Sequence, residues 1–258
     1  MWCNAIYDQN NYPVDVMFCW NFVPEHRKQE TFFKLLNIRT DLIITPILED
    51  IAQITDLYES GTDDVSQIVD LIHSIRREFI TTSKMFNKEL EENVAHEVFA
   101  PYIQSIAAWD DGKGPSATEH MTFQSILAFI GLEGTSVQGK IMANSRRKMP
   151  RAARNLVTSL VRHSQGDGRY GKLTEVQIMT VQSAKNELLS SYHSFVMSHK
   201  KRVSRYLAYS KGSASGSLRG NEVQSTFVEN SNERLQEIST FRKCNKSEIL
   251  NRQISRGG

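Results

Sequence analysis

The chain of 258 residues is predicted to be all-α, built as one large helical domain. Segment after segment repeats its apolar residues at helical steps, and no stretch alternates apolar and polar residues over the length of a strand. With 40% apolar and 23% charged residues, the composition is that of a globular protein able to bury a real core. No internal repeat is visible.

Residues 1–29 read as an irregular lead-in, in which Asn10, Asn11, Pro13 and Pro24 break up short aromatic runs. From Asp41 the spacing of Leu42, Ile43, Ile47, Ile51, Ile54 and Leu57 predicts a helix with one apolar face, ending near Gly61. Thr62-Asp63-Asp64 is a suitable cap for a second helix carrying Val65, Ile68, Val69, Ile72, Ile75 and Phe79, with Arg76 and Arg77 toward solvent. A third, less regular helix follows through Val94, Val98, Phe99, Tyr102, Ile103 and Ile106, where Pro101 should bend it or shift its start. A loop of two glycines and a proline, from Trp109 to Ala117, precedes a helix of Phe123, Ile126, Leu127 and Ile130 that stops at Gly131. Pro150 can start another helix, holding Leu156, Val157, Leu160 and Val161, and Ser164 to Gly171 breaks the pattern again. One long helix is expected from Lys172 to about Leu207, through Val176, Met179, Val181, Leu188, Leu189, Tyr192, Val196 and Val203. Domain boundaries of 1–29, 30–236 and 237–258 follow, the last a disordered polar tail.

Charge and cysteine content exclude several classes. Against 31 basic side chains stand 29 acidic ones, so no global field draws the chain to nucleic acid or an anionic membrane. Cys3, Cys19 and Cys244 are odd in number, far apart and without CxxC spacing, which argues against a disulfide framework or zinc site and for a reducing compartment. No apolar run reaches the length of a membrane span, and no signal-peptide pattern opens the chain; cytoplasmic residence is the expectation.

Phosphate-loop, GxGxxG, HExxH and GxSxG motifs are absent, which removes support for kinase and hydrolase chemistry. Asp63-Asp64 and Asp110-Asp111 are read as caps or solvated acids. The clusters Arg146, Arg147, Lys148, Arg151, Arg154 and Lys200, Lys201, Arg202, Arg205 could meet phosphates, but they lack interleaved aromatic platforms, and a solvated face is the ordinary reading. His199, among lysines, is expected to face solvent, while His120 follows a loop and could enter a pocket. His193 stands out: Leu189, Val196 and Met197 are its neighbours at helical steps, which predicts a buried or cleft-lining imidazole. A neutral imidazole there could ligate a metal, or be a core residue satisfied by a carbonyl.

Three strings, in order, resemble the helical heme-binding domain of the indoleamine 2,3-dioxygenase family. Gly114-Pro-Ser-Ala117, with Trp109 upstream and Phe123-Gln124 and Ile130-Gly131-Leu132 downstream, is similar to the family's Gly-Ser-Ala loop and the helix after it. Arg146-Arg-Lys-Met-Pro-Arg-Ala-Ala-Arg-Asn155 is similar to its Met-Pro-x-x-His/Arg-Arg-Asn segment. Ser191-Tyr-His193, followed by Lys211-Gly-Ser-Ala-Ser-Gly-Ser217, looks like its Ser-Tyr-His and Gly-Thr-Gly-Gly-Thr strings. The resemblance runs from about Glu30 to Leu235 and does not include the family's small amino-terminal domain.

It implies heme b held by His193 as axial iron ligand, with Phe32, Phe33, Ser116, Ala117, Arg154 and Tyr192 around the cofactor. It places Phe32, Ile103, Ser116, Ser213 and Ala214 at the substrate. The implied activity is insertion of O2 into the indole ring of tryptophan or a related indole, giving N-formylkynurenine, the first step of the kynurenine pathway. The implied partners are that indole and O2, with no nucleic acid and no membrane. Ile103 stands where the family has the arginine that holds the substrate carboxylate, Leu36 replaces a small polar residue, and Gly212 to Ser217 lose an interior glycine pair. These departures keep open a non-catalytic heme or diatomic-gas-binding relative, and a purely structural helical protein in which His193 is only a core residue.

Overall fold

The computed structural model describes residues 5–61, 64–104, 121–132, 146–147, 149–165, 173–208, 232–233, 235–244 and 247. Described residues are predominantly helical: α1 Pro24–Ile44, α2 Pro46–Ser60, α3 Val65–Asn93, α4 His96–Val98 leading into a π-helical stretch Phe99–Gln104, α5 Met121–Ile130, α6 Arg151–Gln165 and α7 Glu175–Ala208. The all-α expectation therefore holds at the level of class. By contacts the chain divides into two compact units, one of Met1–Ile44, Thr81–Ser116 and Ser198–Asn230, the other of Thr45–Ile80, Ala117–Met197 and Ser231–Gly258.

In the first unit, the expected irregular lead-in is corrected twice. Ala5–Tyr7 and Pro13–Val16 form an antiparallel hairpin, β1 and β2, whose turn is closed by Asp8: its carboxylate accepts from the amides of Asn10 and Tyr12, both at 2.9 Å. Asn11 takes the left-handed φ of 58° that asparagine tolerates. Strands this short carry too few residues to show alternation. Pro24 does not interrupt the chain but opens α1, where its fixed φ suits a first turn and its missing N–H costs nothing. Arg39 of α1 donates to the Pro13 carbonyl and lies over the Tyr12 ring, tying the hairpin down.

Glu30 is the polar centre of this unit. Only 2% exposed, its carboxylate accepts from the Trp20 and Asn21 amides, the Asn21 side chain and Lys34 Nζ. Asn21 also donates to the Tyr102 carbonyl at 2.9 Å, so Glu30 links the segment before α1 to the π-helical stretch. Leu36, Leu90, Val94, Val98, Ile103 and Tyr206 make the apolar cluster, with Phe32, Phe33, Phe86 and Phe99 packed against it. The Tyr206 hydroxyl reaches the Leu90 and Val94 carbonyls, each at 3.1 Å, the first of which also accepts from the Val94 amide, and so anchors its ring at the end of α3. Pro101 falls within a π-helical stretch, the local form its bend takes.

The second unit is centred on α5, buried from Thr122 through Ile130 and apolar around most of its circumference. It packs against α2 and α6. The single helix expected from Asp41 to Gly61 is two helices: Pro46 lacks the amide that would continue α1 and occupies the first turn of α2. The two ends expected at glycine hold. Gly61 has φ 67° and donates to the Leu57 and Tyr58 carbonyls, and Gly131 has φ 82° after α5. Asp64 caps α3, accepting from Gln67 N at 3.2 Å and Ser66 Oγ at 2.6 Å. Residues 235–244 are helical, with Ile238 1% exposed and Phe241 3.7 Å from where a side chain on Gly131 would begin. The expected disorder of residues 237–258 is thus corrected for this stretch, because Ile238 and Phe241 share one helical face and find an apolar surface.

No helix among the described residues is long and apolar enough to cross a membrane. Cys19 and Cys244 carry free thiols.

Candidate functional site

His193 sits late in α7, on the turn stapled to α3 by Arg76. The guanidinium pairs with Glu187 at 2.7 Å and donates to Ser191 Oγ at 3.1 Å. Ser190, Ser191 and Ser194 turn their hydroxyls back onto the carbonyls of Asn186, Glu187 and Ser190, so these polar side chains are spent locally. Neighbouring Tyr192 is fully buried beside Phe79 and Phe195, and Phe79, Phe123 and Phe195 lie with ring centroids 5.4 to 5.7 Å apart. This aromatic cluster fixes the rotation of α7 about its axis.

The imidazole lies at the edge of the buried stripe. Leu189 and Val196 are buried, whereas Met197 is 50% exposed. The apolar surroundings expected for His193 are therefore complete on one side only, and its side chain is half-buried. Desolvation, and then the positive charge of Arg242, hold its pKa below the ordinary histidine value, so it is neutral at pH 7. It makes no hydrogen bond, ion pair or ring contact with another described residue. A neutral imidazole with an uncommitted lone pair is the protonation state that ligates a metal. The carbonyl that would make it an ordinary satisfied core histidine is not among its described neighbours. Neither is the acceptor that a ligating histidine ordinarily has for its other ring nitrogen.

No three His, Cys, Asp or Glu side chains converge into a metal-holding group among the described residues. A metal bound through His193 would draw its remaining ligands from a group such as porphyrin, whose ring nitrogens need no protein donors. A single imidazole is a donor of the kind that heme iron takes from a protein.

The remaining expected site residues fall into two sets. Phe32, Phe33, Leu36 and Ile103 come together in the first unit, but as packing: Leu36 and Ile103 are 4% and 3% exposed within the apolar cluster. Tyr192, His193 and Arg154 belong to the second unit, where Arg154 is half-buried on α6. Trp109, Ser116, Ala117, His120, Ser213 and Ala214 lie outside the described residues.

His199 corrects an expectation. Rather than facing solvent among lysines, it is half-buried, and burial followed by the nearby Arg202 depresses its pKa to about 4. Helical position decided this more than neighbouring sequence. Sequence reading also missed Glu30 and Tyr206; a glutamate in a run rich in aromatic and aliphatic residues was the available signal for the first.

No protein-family model matches the sequence, and no curated protein matches it significantly.

Proposed function

We propose that the chain is a heme protein with the fold of the indoleamine 2,3-dioxygenase large domain, and that it inserts O2 into the indole ring of tryptophan or a related indole to give N-formylkynurenine. The supporting observation is His193: a half-buried imidazole, held neutral, with neither ring nitrogen engaged by a described residue. Bound heme would supply the binding and activation of dioxygen, chemistry that no side chain here provides. The protein's part is positional. The Arg76 staple and the Tyr192 aromatic cluster hold the turn of α7 that presents His193, and Arg154 offers a cation for a carboxylate of the cofactor. A cytoplasmic location belongs to the same proposal and agrees with the free thiols of Cys19 and Cys244.

A second reading keeps heme but not turnover: a diatomic-gas-binding or otherwise non-catalytic relative. Ile103 favours it, since a buried aliphatic side chain offers no charge-assisted contact to a substrate carboxylate. The deciding experiment loads the protein with hemin, reduces it, adds tryptophan under air and follows N-formylkynurenine absorbance. Turnover that is lost in His193→Ala supports the dioxygenase; specific heme uptake without turnover leaves the second reading; no specific uptake removes both and leaves a structural helical protein.

A further inference from the structure

Between Ile6 and Val23 the first unit holds nine large apolar side chains in water, each at least 40% exposed and Phe22 at 96%. Their backbone is not loose. The Trp20 and Asn21 amides donate to the Glu30 carboxylate, Lys34 Nζ donates to the Phe18 carbonyl at 3.0 Å and Arg39 to the Pro13 carbonyl at 3.2 Å. The Phe18 and Trp20 rings meet edge to face, 4.8 Å between centroids. A segment tied at these points has little backbone freedom left to lose on association.

The area decides what size of partner it fits. An aromatic side chain can bury roughly 200 Å² and a valine or isoleucine less, so these nine leave on the order of 1,000 Å² in contact with water. The largest apolar patch of an ordinary monomer is about 300–600 Å², whereas one side of a stable protein interface is about 800 Å². The exposed surface is therefore that of a macromolecular interface.

The hairpin decides the kind of partner. β2 packs on α1 and pairs with β1, and among the described residues no second strand lies beside β1. Ala5, Ile6 and Tyr7 carry neither a charge nor a proline, the residues that keep an open edge from pairing. Register passes from Ile6↔Asp15 to Tyr7↔Pro13, so the extra residue of the bulge, Val14, belongs to β2 and leaves β1 regular. Antiparallel pairing of β1 with a copy of itself, about a two-fold axis at Ile6, sets Ile6 against Ile6 of the copy and Ala5 against its Tyr7. No like charges are opposed, and a marginal two-stranded sheet becomes four-stranded.

We propose that this face is an interface between two copies of the chain, joined through β1, with Met17, Phe18, Trp20, Phe22 and Val23 buried in the same contact. Because the same surface is used on both sides, the contact closes on itself and association stops at two.

The test is sedimentation equilibrium of the full chain from sub-micromolar to tens of micromolar concentration. A reversible monomer–dimer equilibrium is expected, with the dissociation constant raised roughly tenfold or more by Phe22→Ser and by Ile6→Lys. Val176→Ser, which changes an exposed apolar residue of the second unit, should leave it unchanged. Phe22 and Ile6 are exposed, so the far-UV circular dichroism of both variants should match the wild type and separate lost association from unfolding. A monomer at every concentration, assembly beyond a dimer, or wild-type association in both Phe22→Ser and Ile6→Lys would each overturn the proposal. A monomeric chain that sediments with phosphatidylcholine–phosphatidylserine vesicles, and does not after Phe22→Ser, would assign the face to a lipid surface and overturn it as well.

Discussion

Replacing Glu30 by alanine tests whether one buried carboxylate organises the amino-terminal part of the fold. Its loss strands three donors at once: the amides of Trp20 and Asn21, 3.0 Å from the carboxylate, and the Asn21 side chain at 2.6 Å, which keeps only its bond to the Tyr102 carbonyl. Each donor left without a partner costs about 1–3 kcal/mol when buried, and water reaching the partly exposed Trp20 relieves some of that cost. A total of about 3–5 kcal/mol is expected. Glu30→Gln keeps the shape but must aim an NH2 at some of the same donors, so about 2–3 kcal/mol is expected there.

The pH dependence follows from the same contacts. Burial alone would raise the Glu30 pKa, but the bonds from Lys34, Trp20 and Asn21 outweigh it and hold the value below 4.5. A depressed carboxylate contributes its stability above the unfolded-state value and loses it as pH falls through the folded-state value. Urea unfolding followed by far-UV circular dichroism, and by Trp20 fluorescence with Trp2 and Trp109 replaced by phenylalanine, reads both effects. Loss of less than about 0.5 kcal/mol at pH 7, the level of an ordinary surface substitution, would refute the reasoning.

Three further outcomes are expected. His199, with its pKa depressed to about 4, lends stability that is complete above the unfolded-state value of 6.5 and is lost as pH falls toward 4; His199→Gln should flatten that part of the stability profile by on the order of 2 kcal/mol. His193 is shifted in the same direction, so the two are separated by measuring each variant alone. Tyr206→Phe removes the hydroxyl that serves the Leu90 and Val94 carbonyls and should cost about 1–3 kcal/mol in a denaturant titration. Gly131→Ala places a Cβ on a residue with φ 82°, and the melting temperature should fall by an amount corresponding to about 1–2 kcal/mol even though the nearest atom, Phe241 Cζ, leaves room at 3.7 Å.

Sequence periodicity revealed those helices that bury large apolar side chains at regular helical steps. In α2 these are Ile47, Ile51 and Ile54, and in α5 Phe123, Ile126, Leu127 and Ile130, which mark the helix even though Thr122, Gln124 and Ser125 are buried among them. It failed for α1 because that helix buries Glu30 and Thr40 alongside its leucines and isoleucines, which blurs the stripe. The β-hairpin escaped because its pairing is fixed by Asp8 and Asn11 in the turn, not by alternation in three- and four-residue strands. At the candidate site, the helix and position of His193 were legible, and so was its partly apolar setting. That no described residue engages its ring nitrogens was not, since this depends on which carbonyls come near it in space. Nor could the string around His199 show that it faces into the fold, where burial and Arg202 keep it neutral.

The most direct test of His193 as a heme ligand is the ultraviolet-visible spectrum of the full chain titrated with hemin, in ferric, ferrous and ferrous-CO forms, with His193→Ala alongside. A histidine-ligated spectrum that saturates at one heme per chain and is lost in the variant is the expected result. A Soret band that is the same in both proteins, or no specific uptake by the wild type, would contradict it.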